Sequence, residues 1–434
     1  MTTPVAPARP SLYPILAVTF VGTLGFSIVL PFLVFLVTRL GGNAVIYGVV
    51  GATYSVFQLV GAPILGRWSD RVGRKKVLLL SQLGTLAAWG IFLFALTLPV
   101  RPLFAVDSSV LGAFTLTVPL AVLFVARALD GLTGGNVSVA NAYLADITSD
   151  ADRSVNFGRM AVASNLGFIL GPAIAGVLGT TAAGERLPVL AALVISVIAT
   201  LIILLSLRES TPCVLTASPE RPSVRDLLGG DQKDCYPLAS RRLATREILG
   251  LPSVGLLLAL QFLVFLAFNF YYVAFPVHAA IGLGWPLSAV GIYFTMMAVM
   301  MATVQGPILS RLSRRWGDKP LVVGGSAVLA AGFCLFTSEQ TPVIYAGTAL
   351  LAIGNGVMWP SLLSRLSKAS DRETQGAVQG LSGSVTAVAS IVGLVAGGLL
   401  YDRLGGQVFL LSGAIVALVV IAAFWISRSD LRES

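Results

Sequence analysis

The chain has 434 residues, of which 56% are hydrophobic and 11% charged, and its mean hydropathy is +0.87. A soluble protein of this length carries about a quarter of its residues as charges, so the composition excludes a string of soluble domains and requires lipid as the main solvent. The net charge of +9, from 29 Lys+Arg against 20 Asp+Glu, then reads as basic residues sorted to cytoplasmic loops and not as a nucleic-acid surface.

In chain order, Met1–Pro10 precede an apolar run too long for a signal-peptide core, which reads as a retained span. Twelve segments are long and apolar enough to cross a bilayer: 12–38, 44–66, 77–100, 118–144, 157–179, 187–207, 252–278, 285–308, 320–338, 342–364, 375–400 and 407–427. Between the sixth and seventh, residues 208–251 have linker composition, with Pro212, Pro219, Pro222, Pro237 and Gly229-Gly230, and a short surface helix is expected near 223–228. Cys213 and Cys235 fall here and Cys334 in a span; no disulfide framework, metal site or cofactor is expected. The domains are thus an N-terminal bundle 1–207, a cytoplasmic linker 208–251 and a C-terminal bundle 252–434. Placing both termini in the cytoplasm assigns 24 Lys/Arg to inner segments and 4 to outer loops, the asymmetry of a multi-pass membrane protein.

The halves repeat. Pro63-Ile64-Leu65-Gly66-Arg67 through Lys75 is echoed, 244 residues on, by Pro307-Ile308-Leu309-Ser310-Arg311 through Lys319, with Arg314 standing where the first copy has Asp70. The expected fold is an all-α integral membrane protein, twelve transmembrane helices in two pseudo-symmetric six-helix bundles with a substrate site between them.

Span four holds Arg127 and Asp130, the only Asp, Glu, Lys or Arg side chains well inside a span. Charges at that depth usually face a cavity and mark an ion or substrate path. Three apart on a helix, they can touch. Burial disfavours charge on a carboxylate and a neighbouring Arg favours it, so a movement separating such a pair can capture or release a proton; the rival reading is a permanent ion pair that orients the helix. Gly131, Gly134, Ser138 and Asn141 continue the Arg127 stripe. Span five carries Ala163, Gly167, Gly171, Ala175 and Gly179 at four-residue intervals, a ridge on which another helix packs closely. Span seven, with Pro276 after a run of aromatics, reads as a broken helix on a cavity, with Gln261, Asn269 and Tyr272 as polar anchors; Gln58, Asn165 and Asn355 join them as cavity candidates. His278, the sole histidine, lies at the outer end of that span and reads as inert.

Gly66-x3-Asp70-Arg71-x-Gly73-Arg74-Lys75 resembles the loop 2–3 signature of the major facilitator superfamily. Arg127, Gly131 and Gly134 fit that family's span-four motif. Gly158, Gly167, Gly171, Pro172 and Gly176, with Ala175 in place of one Gly, resemble the span-five signature of its drug/proton antiporters, and the stretch 127–179 is similar to bacterial tetracycline efflux proteins. The resemblance implies a monomeric transporter of the plasma (inner) membrane, exchanging protons for lipophilic or cationic small molecules by alternating access. It also implies that Asp70 caps a neighbouring helix and, with Arg71 and Arg74, latches the halves on the inner side, Gly73 supplying the turn. Gly22 and Ala88 stand where tetracycline exporters carry acids, so their metal-chelate substrate does not carry over. An uncoupled facilitator or an importer of sugars or other metabolites is the alternative. An enzyme is not expected, since H-E-x-x-H and G-x-S-x-G are absent from the sequence.

Overall fold

A computed structural model of the chain describes residues 11–29, 31–134, 136–148, 152–181, 184–210, 245–370 and 374–429. The first half contains α1 (Tyr13–Ser27), α2 (Leu33–Arg39), α3 (Ala44–Val72) and α4 (Arg74–Ala95). A hairpin follows, β1 (Pro102–Ser108) and β2 (Gly112–Thr117), then α5 (Val118–Thr133), α6 (Asn136–Ile147), α7 (Arg153–Gly179) and α8 (Arg186–Leu205). The second half has α9 (Thr245–Leu249), α10 (Val254–Val277), α11 (Leu287–Thr303), α12 (Leu309–Trp316), α13 (Asp318–Leu335), α14 (Thr341–Lys368), α15 (Gln375–Leu404) and α16 (Val408–Ser429).

Ten helical stretches among the described residues are long and apolar enough to cross a membrane. One of them, Ala377–Phe424, contains both α15 and α16, which turn at Gly405 with φ +54°, and the first span is a further one, broken into α1 and α2. Each of the twelve expected segments therefore coincides with a helix or a pair of helices. Of the expected linker, residues 211–244 lie outside the described residues, together with the expected surface helix, Cys213 and Cys235.

Three spans depart from the expected form. Span one is two helices, interrupted around Pro31, whose missing N–H and fixed φ end the ladder. Span four breaks at Gly134 between α5 and α6. Span seven, expected to break, is continuous: α10 runs through Pro276 and ends in a π-helical turn, His278–Gly282. A single proline is absorbed where the next turn widens. His278 is buried there and shares a 3.2 Å hydrogen bond through Nδ1 with the Tyr401 hydroxyl.

The hairpin between α4 and α5 was not expected. It is pinned to the first half by Thr115 N–H donating to Gly41 O at 2.9 Å and by the Thr117 hydroxyl donating to Leu40 O at 2.7 Å. Asn43 serves twice: Oδ1 caps α3 by accepting from Ile46 N, and Nδ2 donates to Leu111 O and Ala113 O in the hairpin. The hairpin tip reaches the second half, where Arg403 donates to Ser109 O at 3.4 Å.

At this hairpin end the two halves meet, α3 on α15 and α7 on α11. The contacts run backbone to backbone: a Cβ on Gly398 would stand 2.7 Å from Ala44 O, and one on Gly176 would stand 3.1 Å from Gly291 Cα. Val273 and Val277 of α10 join the apolar cluster of the first half. At the opposite, terminal end the corresponding faces are open, with nothing within 4 Å of where a Cβ on Gly158, Gly380 or Gly383 would sit. The molecule is closed at the hairpin end and parted at the terminal end.

Candidate functional site

Small residues bring three helices together around span four. A Cβ on Gly131 would strike the Tyr54 carbonyl of α3, one on Gly61 the Leu132 carbonyl, and one on Gly84 of α4 the Thr133 side chain, so α5 lies in close contact with both neighbours. The break at Gly134 leaves carbonyls without helical partners. Ser81 of α4 donates to Thr133 O, and Gln58 of α3 donates to Gly134 O at 3.2 Å and to the Tyr54 hydroxyl at 3.0 Å. Irregular backbone at this depth persists because side chains satisfy it.

On the last turns of α5, Arg127 Nη1 donates to Asp130 Oδ2 at 3.1 Å, with side-chain exposures of 7% and 13%. The guanidinium carbon lies 4.7 Å from the centroid of the Tyr54 ring, a cation–π contact that holds the cation in place. Arg127 Nε is buried and has no hydrogen-bond partner among the described residues. Thr85 of α4 stands beside the carboxylate.

Asp130 opens on a cavity of about 530 Å³ whose lining residues all belong to the first half. Phe26, Trp89, Phe157 and Phe168 supply apolar wall, and Gln58, Gln82, Thr85 and Ser196 supply polar points on it. This is the mix expected of a small-molecule site, mostly apolar with a few placed polar groups.

The other expected cavity residues are elsewhere. Gln261 is buried between α10 and α15, donating to Ser382 O at 3.2 Å and Thr386 Oγ1 at 2.7 Å and accepting from Ser382 Oγ at 2.9 Å. Asn269 donates to Phe265 O at 2.7 Å and to Ser390 Oγ at 3.4 Å, against Gly393 of the same neighbour. Tyr272 packs its ring on Phe268 and Phe294. Asn355 is buried within α14 and Asn165 is half-buried on α7, and neither lines the cavity. Gln261 and Asn269 tie α10 to α15, because a polar group left in lipid is costly and the nearest partner is often the adjacent helix.

The span-five residues divide between two partners. Gly167 and Gly171 lie against α1, where Ser27 donates to Gly167 O at 2.9 Å, whereas Gly176 lies against Gly291 of the other half. Pro172 continues inside α7, and Gly158 faces open space.

In the loop signature, Gly73 has φ +104° and ends α3. Its missing Cβ also admits the Glu209 carboxylate, which accepts from Lys75 N at 3.1 Å and so caps α4. Arg74 Nε donates to Asp146 Oδ2 at 2.9 Å and Nη1 to Ser69 Oγ at 2.7 Å; Ser210 Oγ also donates to Asp146. Gly66 lies within α3, its carbonyl accepting from Ser69. The side chains of Asp70 and Arg71 lie outside the described residues. Arg74 thus ties span three to span four of its own half, and the cap on α4 comes from Glu209, which the sequence reading missed.

Also missed were Gln82, Thr85 and Trp89, which form one stripe of α4 at intervals of three and four, and Ser196, which interrupts the otherwise apolar run from Leu187 to Ala199 in α8. That stripe was visible as spacing.

Two bundles related by a repeat, closed at one end, with a part-polar cavity inside the membrane-spanning region, define a multi-pass membrane transporter and not an enzyme. The Major Facilitator Superfamily profile matches residues 15–305 and 257–434, and the chain belongs to that superfamily. It is similar to the class D tetracycline resistance protein of Salmonella ordonez, 26% identical over 95% of this chain and 96% of that one. It is also similar to Multidrug resistance protein 1 of Bacillus subtilis (strain 168), 25% identical over 96% of each. Among solved structures, the human organic anion transporter MFSD10 (TETRAN) shares the fold, with TM-score 0.66 and 22% identity over 96% of this chain and 100% of that one.

Proposed function

We propose that the protein exports lipophilic or cationic small molecules from the cell in exchange for protons, as a monomer in the plasma (inner) membrane. The observation that carries this reading is the Arg127–Asp130 pair at a largely apolar cavity: among the described lining residues Asp130 is the one bearing a charge. Ionised, the carboxylate holds Arg127; protonated, it loses that attraction, and a cationic substrate competes for the same group. The names of the tetracycline and multidrug resistance relatives support efflux as the direction. A Cβ on Gly22 would open on empty cavity, and Ala88 is buried off its wall, so apolar cations suit this wall better than a metal chelate.

The excess of basic residues at the terminal end supports a cytoplasmic location for it. The arrangement described here is then inward-facing, the hairpin end forming the closed outer gate and the cavity filling from the cytoplasm or inner leaflet. The cluster around Gly66, Gly73, Arg74 and Glu209 sets the inner rim of the first half and acts on the inner gate through it, with Asp70 and Arg71 in the same loop.

The test is ethidium transport in proteoliposomes under an imposed pH gradient. Uphill accumulation that collapses with the gradient is expected in the wild type. Transport indifferent to the gradient would replace this reading with that of an uncoupled facilitator.

A further inference from the structure

Gln82, outside the Arg127–Asp130 pair, is 2% exposed, yet it lines the cavity. Its amide nitrogen is fully engaged by α8, donating to Ser196 Oγ at 2.8 Å and Ser196 O at 3.3 Å, and Thr200 fixes the same carbonyl by donating to it at 2.8 Å. An amide has two N–H donors and a carbonyl acceptor. With the donors turned to α8, the atom that Gln82 offers to the cavity is Oε1, which has no partner among the described residues. Gln58, across on α3, repeats the arrangement: its nitrogen is held by the Tyr54 hydroxyl and Gly134 O, and its oxygen has no partner among the described residues. The hydroxyls of Thr19 and Thr23 on α1 donate to Ile15 O and Thr19 O, so they too turn lone pairs to the cavity.

Four side chains from three helices therefore present acceptors to the same space, beside the Asp130 carboxylate. Gln82 and Thr85 are three residues apart on α4, about 4.5 Å along the axis, and Thr85 adjoins Asp130. A ligand with two donors roughly one helical turn apart satisfies Asp130 and Gln82 together, while its apolar body lies on Trp89 and Phe26.

We propose that Gln82, seconded by Gln58, is a donor-reading subsite, and that the cavity selects amphiphiles bearing N–H or O–H groups over lipophilic cations that have none. This rests on the cavity being the substrate site of the proposed function. The reason for selection is that a donorless ligand displaces water from these oxygens and leaves them unpaired, which binding must overcome.

The experiment is equilibrium binding to the purified full-length protein at fixed pH, with no gradient. The probes are ethidium, which carries aromatic amines, and tetraphenylphosphonium, which carries no donor. Gln82→Met should weaken ethidium binding about tenfold and leave tetraphenylphosphonium within about twofold. Gln82→Glu keeps an acceptor at the same reach and should retain ethidium, whereas a role limited to the α4–α8 bond would suffer in both variants alike. Gln58→Met, on another helix, carries the same expectation in the same direction and keeps the test open if Gln82→Met does not fold. Equal losses for both probes, unchanged ethidium binding in the Met variants, or no binding of either probe by wild type overturns the subsite. Normal selectivity in a protein that shows no gradient-driven transport would overturn only the coupling reading.

Discussion

Arg74 and Asp318 occupy the same position in the two halves, 244 residues apart, and carry opposite charges. Each opens a helix directly after a glycine of positive φ, Gly73 at +104° and Gly317 at +70°. Each reaches the end of the fourth span of its half: Arg74 bonds Asp146 at 2.9 Å, and Asp318 bonds Lys368 at 2.6 Å. Asp146 and Lys368 each lie in the last turn of the helix that ends the fourth span of their half. The same tie is made in both halves with its charges exchanged.

The two bridges should differ in weight. Side-chain exposures are 11% and 9% for Arg74 and Asp146, but 72% for Lys368. Arg74→Ala strands a buried carboxylate and should cost about 3–5 kcal/mol, whereas Lys368→Ala should cost under about 1 kcal/mol. The double variant R74D/D146K copies the second half into the first and should recover most of what R74D alone loses. Thermal denaturation in detergent, read alongside transport, checks all three.

Asp130→Asn should still bind ethidium, about tenfold more weakly than wild type, since the amide keeps the shape of the protonated carboxyl but not the charge that draws the cation. Gradient-driven accumulation in proteoliposomes should fall to that of empty vesicles, while exchange at equilibrium persists. Uphill transport by this variant would make the pair structural.

Arg127→Ala leaves Asp130 buried without its cation, a change worth about 3–5 kcal/mol. The double variant R127A/D130N removes both charges and should fold nearly as well as wild type while remaining uncoupled. Yield and melting temperature of the purified proteins separate these outcomes; a double variant no more stable than R127A would argue against the pair being the source of the defect.

Gly176→Leu places a Cβ 3.1 Å from Gly291 Cα, so the facing backbone of the other half must give way to admit the side chain. The halves should then be unable to close at the hairpin end. In a cysteine-free background, a cysteine at position 141, exposed toward the parted terminal end, should be labelled more slowly from the terminal side than in the parent. Unchanged labelling would show that the outer contact does not set the resting state.

Glu209→Ala should remove the cap from α4 at a cost of about 1 kcal/mol. Gly73→Ala should cost more, because it forces φ +104° on a residue with a Cβ and displaces the same carboxylate. Comparing the two by denaturation in detergent tests whether the glycine serves the turn alone.

Much of this protein was legible from residue spacing. Lipid sets a minimum run length, so the twelve segments could be counted; a repeat at one offset fixed the pairing of the halves; and a separation of three on a helix placed Arg127 against Asp130, now seen at 3.1 Å. Such features depend on the chain's own geometry. What spacing could not say is which way each span faces. A helix surrounded partly by lipid and partly by other apolar helices is hydrophobic on every side, so no periodicity separates a cavity face from a packing face. Gln261 and Gln82 are both amides inside spans, and the sequence favoured the first. The fold turned Gln261 into a tie between α10 and α15 and set Gln82 on the cavity wall. The break at Gly134 and the continuity through Pro276 were decided by tertiary surroundings too: Ser81 and Gln58 take the carbonyls freed at Gly134, and a π-helical turn follows Pro276.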